Sequence, residues 1–245
     1  MAAFMLMQIY TQLERLPVKP PVTIALLCAN ILPFFMDIDL LGYSLSSINQ
    51  NCLNPAKVVT AFIDGDGLLL NRLFLSALIH VDESHLYYNM MSLTWKGINL
   101  EIEMGSAAFL QLVLFSLLVS HGLVVVIAYL LYIYTDFTGT YHTCMVGFSA
   151  VLFSLKYVWN QKGSGDSNIM GISFPSKYAA WLELVLISMI HPNVSFVGHL
   201  AGILAGIIYV HGPALLNTSI ASRSTRSTNN YGGGRVGGSA TRRPY

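Results

Sequence analysis

Six runs of hydrophobic residues, separated by polar segments, divide the chain. Several runs are shorter than the roughly 20 residues that an isolated lipid-facing span needs, and several contain polar residues. Such runs are typical of helices inside a bundle, where neighbouring helices satisfy the polar groups. The pattern predicts an all-α polytopic membrane protein with six transmembrane helices, at residues 21–36, 86–100, 107–134, 145–159, 178–190 and 194–210.

The polar segments between and after these runs predict the domain organisation. Residues 37–84 form the longest connection, whose apolar stretch at 68–79 is predicted to be a short helix in the membrane interface. Residues 217–245 are rich in Ser, Thr, Gly and Arg, a composition typical of disorder, with the arginines near anionic lipid. The predicted parts are a cytosolic N-terminal segment, a six-helix domain and a disordered cytosolic tail, at residues 1–19, 20–212 and 213–245.

The composition agrees with a membrane location. Hydrophobic residues make up 54% of the 245 residues and charged residues 10%, whereas a soluble domain has roughly 25% charged residues. The net charge of +1 gives no reason to expect a nucleic-acid partner. The expected partner of the hydrophobic surface is therefore the lipid bilayer.

The basic residues predict the orientation. If the N-terminus is cytosolic, only Lys57 and Arg72 fall on the opposite side, and Lys96 lies inside the second run. Because membrane proteins concentrate basic residues on the cytosolic side, both termini are predicted to be cytosolic. The ten basic residues at or beyond cytosolic helix ends are Arg15, Lys19, Lys156, Lys162, Lys177, Arg223, Arg226, Arg235, Arg242 and Arg243.

The three cysteines, at positions 28, 52 and 144, show neither a CxxC motif nor the spacing of a zinc site. Cys52 and Cys144 fall on the same predicted non-cytosolic side, where a disulfide could form. Unpaired structural thiols are common, so two free thiols are the favoured interpretation and a disulfide is the alternative.

Four polar residues inside the runs are predicted to meet at one depth. Ser149 lies about five residues into the fourth run, His199 about five residues into the sixth, and His85 and Asn89 open the second. With a cytosolic N-terminus, these three runs all cross the membrane from the non-cytosolic to the cytosolic side. Each of the four residues therefore lies within roughly 8 Å of the non-cytosolic end of its helix. Buried polar groups are costly in a membrane and indicate function.

The chemistry of these residues is complementary. Serine is a poor nucleophile until a base takes its proton, and neutral histidine is such a base. We therefore predict Ser149 as the nucleophile and His199 as the base of a catalytic dyad. The predicted oxyanion donors are the amide of Asn89, the imidazole of His85 and the backbone N–H of Ser149.

Small residues and one aromatic ring are predicted to support the dyad. Gly147 lies close to Ser149 in sequence, and Phe153 follows one turn later, where its ring could stack on His199. Small residues also recur every four positions in the sixth run, which would let two helix backbones touch. They are Gly198, Gly202 and Gly206.

Four sequence motifs stand in a familiar order: HxxxN at 85–89, ExxxGS at 101–106, GFSA at 147–150 and HxxGxxxG at 199–206. They resemble the motifs of the rhomboid intramembrane serine proteases, and the resemblance covers about residues 20–212. The segment WKGINLE at 95–101 is most similar to the rhomboid-related protein 4 subgroup, enzymes of the endoplasmic reticulum membrane.

The resemblance implies a six-transmembrane-helix rhomboid bundle whose cavity opens to the non-cytosolic side. It implies a serine-type endopeptidase with Ser149 as nucleophile, His199 as base, and Asn89 and His85 as oxyanion stabilisers. The implied substrates are single-span or polytopic membrane proteins, with no metal and no cofactor. The subgroup implies an endoplasmic reticulum location.

Several positions depart from the family pattern and keep a second hypothesis open. Ala150 replaces a glycine of the serine motif, and Asn71 replaces the tryptophan of a Trp-Arg pair in the first loop. Gly198 and Phe153 replace a common alanine and a common tyrosine. A catalytically silent relative that binds and escorts membrane clients is therefore the alternative.

A metal-dependent protease is a third class, with His80, His85 and His199 as imagined ligands. The chain has no HExxH motif and no carboxylate at the depth of these histidines. Discontinuous helices, typical of transporters, are also not evident. Both of these interpretations are therefore disfavoured.

Overall fold

The computed structural model describes residues 1–36, 38–40, 43–44, 46–67, 69–135, 137–162, 166–169, 172–190 and 194–228. The α-helices in these ranges are α1 (Ala2–Glu14), α2 (Pro21–Phe35), α3 (Ile48–Asn51), α4 (Pro55–Asp64), α5 (Arg72–Leu75), α6 (Glu83–Met104), α7 (Ser106–Thr135), α8 (Gly139–His142), α9 (Ser149–Lys162), α10 (Ala179–Ile190) and α11 (Phe196–Thr228). Short 3-10 turns occur at Leu69–Asn71, Ser76–Leu78 and Ser176–Tyr178.

Two antiparallel hairpins, which the sequence did not predict, complete the described elements. The strands β1 (Asp39–Leu40) and β2 (Tyr43–Ser44) pair in the first loop. The strands β3 (Asp166–Ile169) and β4 (Ile172–Pro175) pair between α9 and α10. Both hairpins therefore occupy connections and leave the helical bundle intact.

A helix covers each of the six predicted runs, as α2, α6, α7, α9, α10 and α11. The fourth run differs, because α9 begins at Ser149 rather than at residue 145. Gly147 has a φ of 112° and Met145 forms an isolated bridge with Leu53, and neither conformation belongs to an α-helix. Ser149 is therefore the first residue of its helix instead of lying five residues inside it.

Three hydrophobic clusters hold the helices together. The largest combines α1, α2, α6, α7 and α9, with Met90, Leu93 and Leu155 completely buried. A second cluster packs α10 and α11 onto α9 around Phe153 and Ile203. A third joins the first loop and α4 to α7 and α11. Helix α9, which carries Ser149, is therefore enclosed by its neighbours.

Helix α7 is the one helix in the described ranges that is long and apolar enough to cross a membrane unaided. Its 30 residues correspond to about 45 Å, compared with a hydrocarbon core of roughly 30 Å. Helix α2 and the first part of α11 are shorter apolar helices. That six helices cross the membrane therefore stays a prediction.

The carboxylate of Glu101, near the end of α6, caps the start of α2. It is 3% exposed and accepts hydrogen bonds from the backbone N–H groups of Val22 and Thr23, at 2.9 and 2.7 Å. The hydroxyls of Thr23 and Ser106 also donate to it, both at 2.7 Å. The first turn of a helix has unpaired N–H groups and a partial positive charge, so a carboxylate there is stabilising. The contact fixes α2 antiparallel to α6.

Replacing Glu101 by leucine is expected to lower the free energy of unfolding by about 3 kcal/mol, because buried donors lose their acceptor. The midpoint of thermal unfolding in detergent measures this change. The matched control is Glu103→Leu, since Glu103 forms a surface ion pair with Lys162 at 2.9 Å and such pairs contribute at most about 1 kcal/mol. Equal shifts in both variants would contradict the capping role.

Helix α1 packs along the first half of α6. Met5 is buried in the main core. The ring of Phe4 stacks on Tyr87 with centroids 6.5 Å apart, and Tyr87 donates a hydrogen bond to Gln8 at 3.0 Å. The sequence predicted residues 1–19 as a segment outside the bundle. The structure differs because the apolar side of this short helix is buried against α6.

The C-terminal part forms a unit of its own. The chain divides into two compact units, Met1–Val210 and His211–Tyr245. In the second unit, residues 211–228 are the end of α11, whereas the sequence predicted disorder from residue 213. Residues 229–245 lie outside the described ranges, and the predicted domain boundaries stay predictions.

Candidate active site

Helices α6, α9 and α11 begin at the same end of the bundle. The imidazole of His85, in the first turn of α6, lies against Gly147, two residues before α9 starts. His199, in the first turn of α11, contacts Ser149 at the start of α9. The three helix starts therefore bring His85, Ser149 and His199 together at one end of the bundle.

Ser149 and His199 form the central contact of the site. The Nε2 atom of His199 lies 3.0 Å from the Oγ atom of Ser149, within hydrogen-bond distance. The imidazole is 5% exposed and stacks on the ring of Phe153, with centroids 4.5 Å apart. Its Nδ1 atom has no partner within the described part of the chain. When Nδ1 carries the ring proton, Nε2 is free to accept the proton of Ser149.

Two glycines of α11 let its backbone touch α9. A Cβ atom at Gly202 would overlap the carbonyl oxygen of Ala150, and one at Gly206 would lie 2.8 Å from the Cβ of Tyr157. A Cβ atom at Gly198 would instead approach Ser195, which precedes α11. The predicted glycine contact between the helices is therefore made by Gly202 and Gly206 and not by Gly198.

His85 and Gly147 lie beside the dyad, and Asn89 follows His85 one turn later on α6. Asn89 is 5% exposed, donates from Nδ2 to the His85 carbonyl at 2.8 Å, and has no partner for Oδ1 among the residues described. The amide group has a second N–H, which stays available. Gly147 has a left-handed φ, and a Cβ atom there would lie 2.7 Å from Nε2 of His85. The position therefore requires glycine.

Residues just before α6 define the surroundings of His85. The ring of His80 is 4% exposed and packs edge-on against His85, with centroids 5.0 Å apart. Burial, together with the charge of His85, lowers the pKa of His80 to about 3. Asp82 accepts the His85 backbone N–H at 2.8 Å, and a hydrogen bond from Ser84 holds the pKa of Asp82 below its ordinary value. The neutral ring of His80 and the capping carboxylate of Asp82 thus position His85.

A disulfide between Cys52 and Cys144 ties the first loop to the segment before Ser149. The favoured interpretation of two unpaired thiols was therefore wrong. The two cysteines are 92 positions apart, and the folded loop brings their Cα atoms to 5.3 Å. Arg72 anchors the same loop by donating to the carbonyls of Asn49 and Cys52, at 3.3 and 3.0 Å. The loop is thus anchored although Asn71 replaces the family's tryptophan.

Ser195 and Met145 support the site and were not among the predicted residues. The Oγ atom of Ser195 accepts the backbone N–H of Gly198 at 3.0 Å and donates to Sδ of Met145 at 3.0 Å. The carbonyl of Ser195 accepts the His199 backbone N–H at 3.1 Å. A serine just before a helix is a common N-cap, so the sequence offered a signal for Ser195. It offered none for the contact with Met145.

Other buried polar residues lie further along the helices. Glu183 on α10 forms an ion pair with Lys156 on α9. Lys96 donates to the hydroxyl of Ser92 on its own helix. No group of three or more His, Cys, Asp or Glu side chains in the described residues could hold a metal ion. The predicted lack of a metal stays a prediction.

The mostly helical fold, in which α7 is long and apolar enough to cross a membrane, agrees with an all-α membrane protein. A model of the rhomboid domain matches residues 69–212. This match covers more than half of the chain, and the chain therefore belongs to the rhomboid family.

Two relatives illustrate the similarity. The chain is 47% identical over 201 residues to rhomboid-like protein 14, mitochondrial, of Arabidopsis thaliana, covering 80% of this chain and 57% of that relative. It is 39% identical over 195 residues to rhomboid-related protein 4 of Homo sapiens, covering 79% and 58%. These matches confirm the family resemblance predicted from the motifs. The chain spans a little more than half the length of these curated relatives.

Proposed function

We propose that the chain is an intramembrane serine endopeptidase that hydrolyses peptide bonds of single-span or polytopic membrane proteins. The observation that supports this proposal is the 3.0 Å contact between Nε2 of His199 and Oγ of Ser149. A nucleophile and its base within hydrogen-bond reach are the signature of an activated serine. The surrounding bundle belongs to a family with an intramembrane-protease fold.

The residues of the site supply every proton transfer of this reaction. The imidazole of His199 accepts the hydroxyl proton as Oγ of Ser149 attacks the carbonyl carbon of the substrate. The same proton then passes to the leaving amine nitrogen, and an acyl-enzyme ester remains. His199 then takes a proton from a water molecule, whose oxygen attacks the ester carbonyl, and returns that proton to Oγ of Ser149 as the ester bond breaks. The backbone N–H of Ser149, the imidazole of His85 and the free amide N–H of Asn89 stabilise the oxyanion.

We further propose a multi-pass protein whose dyad faces a non-cytosolic, oxidising compartment. The disulfide at the dyad end supports this side, since disulfides persist in oxidising compartments. Basic residues at the other helix ends, such as Lys162, support a cytosolic location there and for the C-terminus. Because Phe4 and Gln8 contact Tyr87 near the dyad end, we place the start of α1 on the dyad side rather than in the cytosol.

Our proposal for the organelle rests on the subgroup of the family that the chain resembles. The resemblance of residues 95–101 to the rhomboid-related protein 4 subgroup supports the endoplasmic reticulum membrane. The relative from Arabidopsis thaliana is named as mitochondrial. Microscopy of the tagged chain with markers of both membranes tests the proposal, and co-localisation with the mitochondrial marker alone would contradict it.

A catalytically silent protein that binds and escorts membrane clients is the second candidate. The observation that favours it is Ala150, whose buried methyl group lies directly after Ser149, where the family pattern has a glycine. In this candidate the added methyl group displaces the nucleophile. This candidate predicts that clients bind to the chain and stay uncut.

Cleavage of a co-expressed single-span substrate separates the two candidates. Ser149→Ala is expected to abolish cleavage while the protein is still expressed, because the attacking oxygen is removed. The matched control is Ser188→Ala, since the Ser188 hydroxyl bonds the Leu184 carbonyl on α10, and wild-type cleavage is expected. Undiminished cleavage by Ser149→Ala would refute the nucleophile. Substrate that the wild-type chain binds and leaves uncut would favour the escort.

A further inference from the structure

The segment from Cys144 to Gly147 is held to the first loop by consecutive covalent and hydrogen bonds. The disulfide joins Cys144 to Cys52. Leu53 and Met145 exchange two backbone hydrogen bonds, at 2.8 and 3.0 Å, and the Gly147 N–H donates to a carbonyl of the first loop at 2.8 Å. Helix α9 begins two residues later. These bonds therefore fix the start of the helix that carries the nucleophile.

The same segment also contacts the helix that carries the base. The Sδ atom of Met145, directly after Cys144, accepts the hydroxyl of Ser195 at 3.0 Å. Ser195 caps α11 and its carbonyl accepts the His199 backbone N–H. The disulfide therefore anchors a short strap, residues 144–147, that touches the starts of both helices of the dyad.

The two sulfur atoms of the disulfide have different surroundings. Cys144 is exposed, whereas Cys52 is 1% exposed. The Nη1 atom of Arg72 lies 3.7 Å from Sγ of Cys52, and Arg72 itself is 7% exposed. In the described part of the chain, no carboxylate pairs with this guanidinium. Cys144 is therefore open to attack, and a thiolate formed at Cys52 would lie beside a buried positive charge.

We propose that the Cys52–Cys144 disulfide is a redox site that a dithiol opens, and that its opening slows the proteolytic site. A thiolate of the dithiol attacks Sγ of Cys144. The S–S bond breaks, and its electron pair goes to Sγ of Cys52, next to Arg72. The second thiol of the dithiol then displaces Cys144. The dithiol leaves as a disulfide, and two protons end on the two reduced cysteines.

After the disulfide is reduced, only hydrogen bonds hold residues 144–147 to the first loop. The amide hydrogens of Leu53, Met145 and Gly147 then exchange faster with solvent, because the loop no longer restrains them. The starts of α9 and α11 lose a common anchor, so Oγ and Nε2 spend less time in contact. Since a misplacement of 1 Å costs up to about 100-fold in rate, a loss of about tenfold in kcat is expected. This effect on cleavage rests on the proposed endopeptidase function.

The experiment treats the purified full chain in lipid nanodiscs with dithiothreitol and follows three signals. Alkylation and mass spectrometry report the state of Cys52 and Cys144, hydrogen exchange reports the strap, and cleavage of a single-span substrate reports the site. We expect reduction to lower cleavage about tenfold and to raise exchange at residues 144–147, and diamide to restore both. The Cys52→Ser/Cys144→Ser variant should be slow and insensitive to dithiothreitol. Cys28→Ser, which removes the free exposed thiol, should respond as the wild type does.

The role of Arg72 is tested by the rate of disulfide reduction, a measurement that does not depend on proteolysis. Arg72→Gln should slow reduction of the disulfide by dithiothreitol about tenfold, whereas Arg72→Lys should keep most of the rate, because it keeps the charge. The proposal would be overturned if Cys52 and Cys144 were alkylated after reduction while hydrogen exchange at residues 144–147 and the cleavage rate stayed unchanged. If the wild type cleaves in neither redox state, the proposed endopeptidase function fails, and the exchange data still decide whether the disulfide holds residues 144–147.

Discussion

Replacing His199 by alanine is expected to lower kcat for substrate cleavage by about 10³- to 10⁴-fold and to leave KM nearly unchanged. The imidazole lies 3.0 Å from Oγ of Ser149, and a general base typically contributes about 10²- to 10⁴-fold. It acts on the hydroxyl proton, so its loss affects the chemical step more than substrate binding. Steady-state initial rates in proteoliposomes at varied substrate concentration measure kcat and KM separately.

His142→Ala is the matched control for this variant. His142 is an exposed histidine after α7, and its ring contacts Tyr132 and Tyr141. This control is expected to cleave at the wild-type rate. A His199→Ala variant that retains more than a tenth of the wild-type kcat would contradict the role of the imidazole as base.

The second large effect is expected from Gly202→Ala. The added methyl group would overlap the carbonyl oxygen of Ala150, a backbone atom that has no rotamer to change. The start of α11 must then move away from α9, which lengthens the distance between His199 and Ser149. A displacement of about 1 Å costs up to about 100-fold in rate, and overpacking lowers the free energy of unfolding by about 1–3 kcal/mol.

Gly122→Ala separates this effect from the general cost of changing a helical glycine. Gly122 lies in α7, and no atom lies within 4 Å of the position where its Cβ would be. Cleavage rates and thermal unfolding midpoints of both variants are compared in the same detergent. Gly122→Ala is expected to retain activity and stability. Wild-type activity in Gly202→Ala would show that close contact of α9 and α11 does not determine the distance between Ser149 and His199.

The sequence predicted the helices and the contact between Ser149 and His199 because both depend on local patterns. Apolar runs define helices whichever partners they find, and Ser149 and His199 each lie close to the start of such a run. Helix direction alternates along the chain, so residues near the starts of α6, α9 and α11 must lie at one end. The stacking of Phe153 on His199 could be predicted for a similar reason, since one helical turn separates Phe153 from Ser149.

The differences between sequence and structure come from contacts between distant parts of the chain. Helix α9 begins at Ser149 because Met145 pairs with Leu53, a residue in the first loop. The disulfide depends on the same fold of that loop. The packing of α1 on α6 depends on the contacts of Phe4 and Gln8 with Tyr87. Neither hydrophobic periodicity nor composition encodes such pairings.

Peptide mapping after reaction with a fluorophosphonate tests the catalytic dyad most directly. The reagent phosphonylates a serine oxygen that a neighbouring base has activated, and it leaves ordinary hydroxyl groups unmodified. Mass spectrometry of the digested wild-type chain should find the adduct on Ser149, and the His199→Ala variant should show none. An unmodified Ser149 in the wild type, or an adduct on another serine only, would contradict a hydrolytic role for this pair.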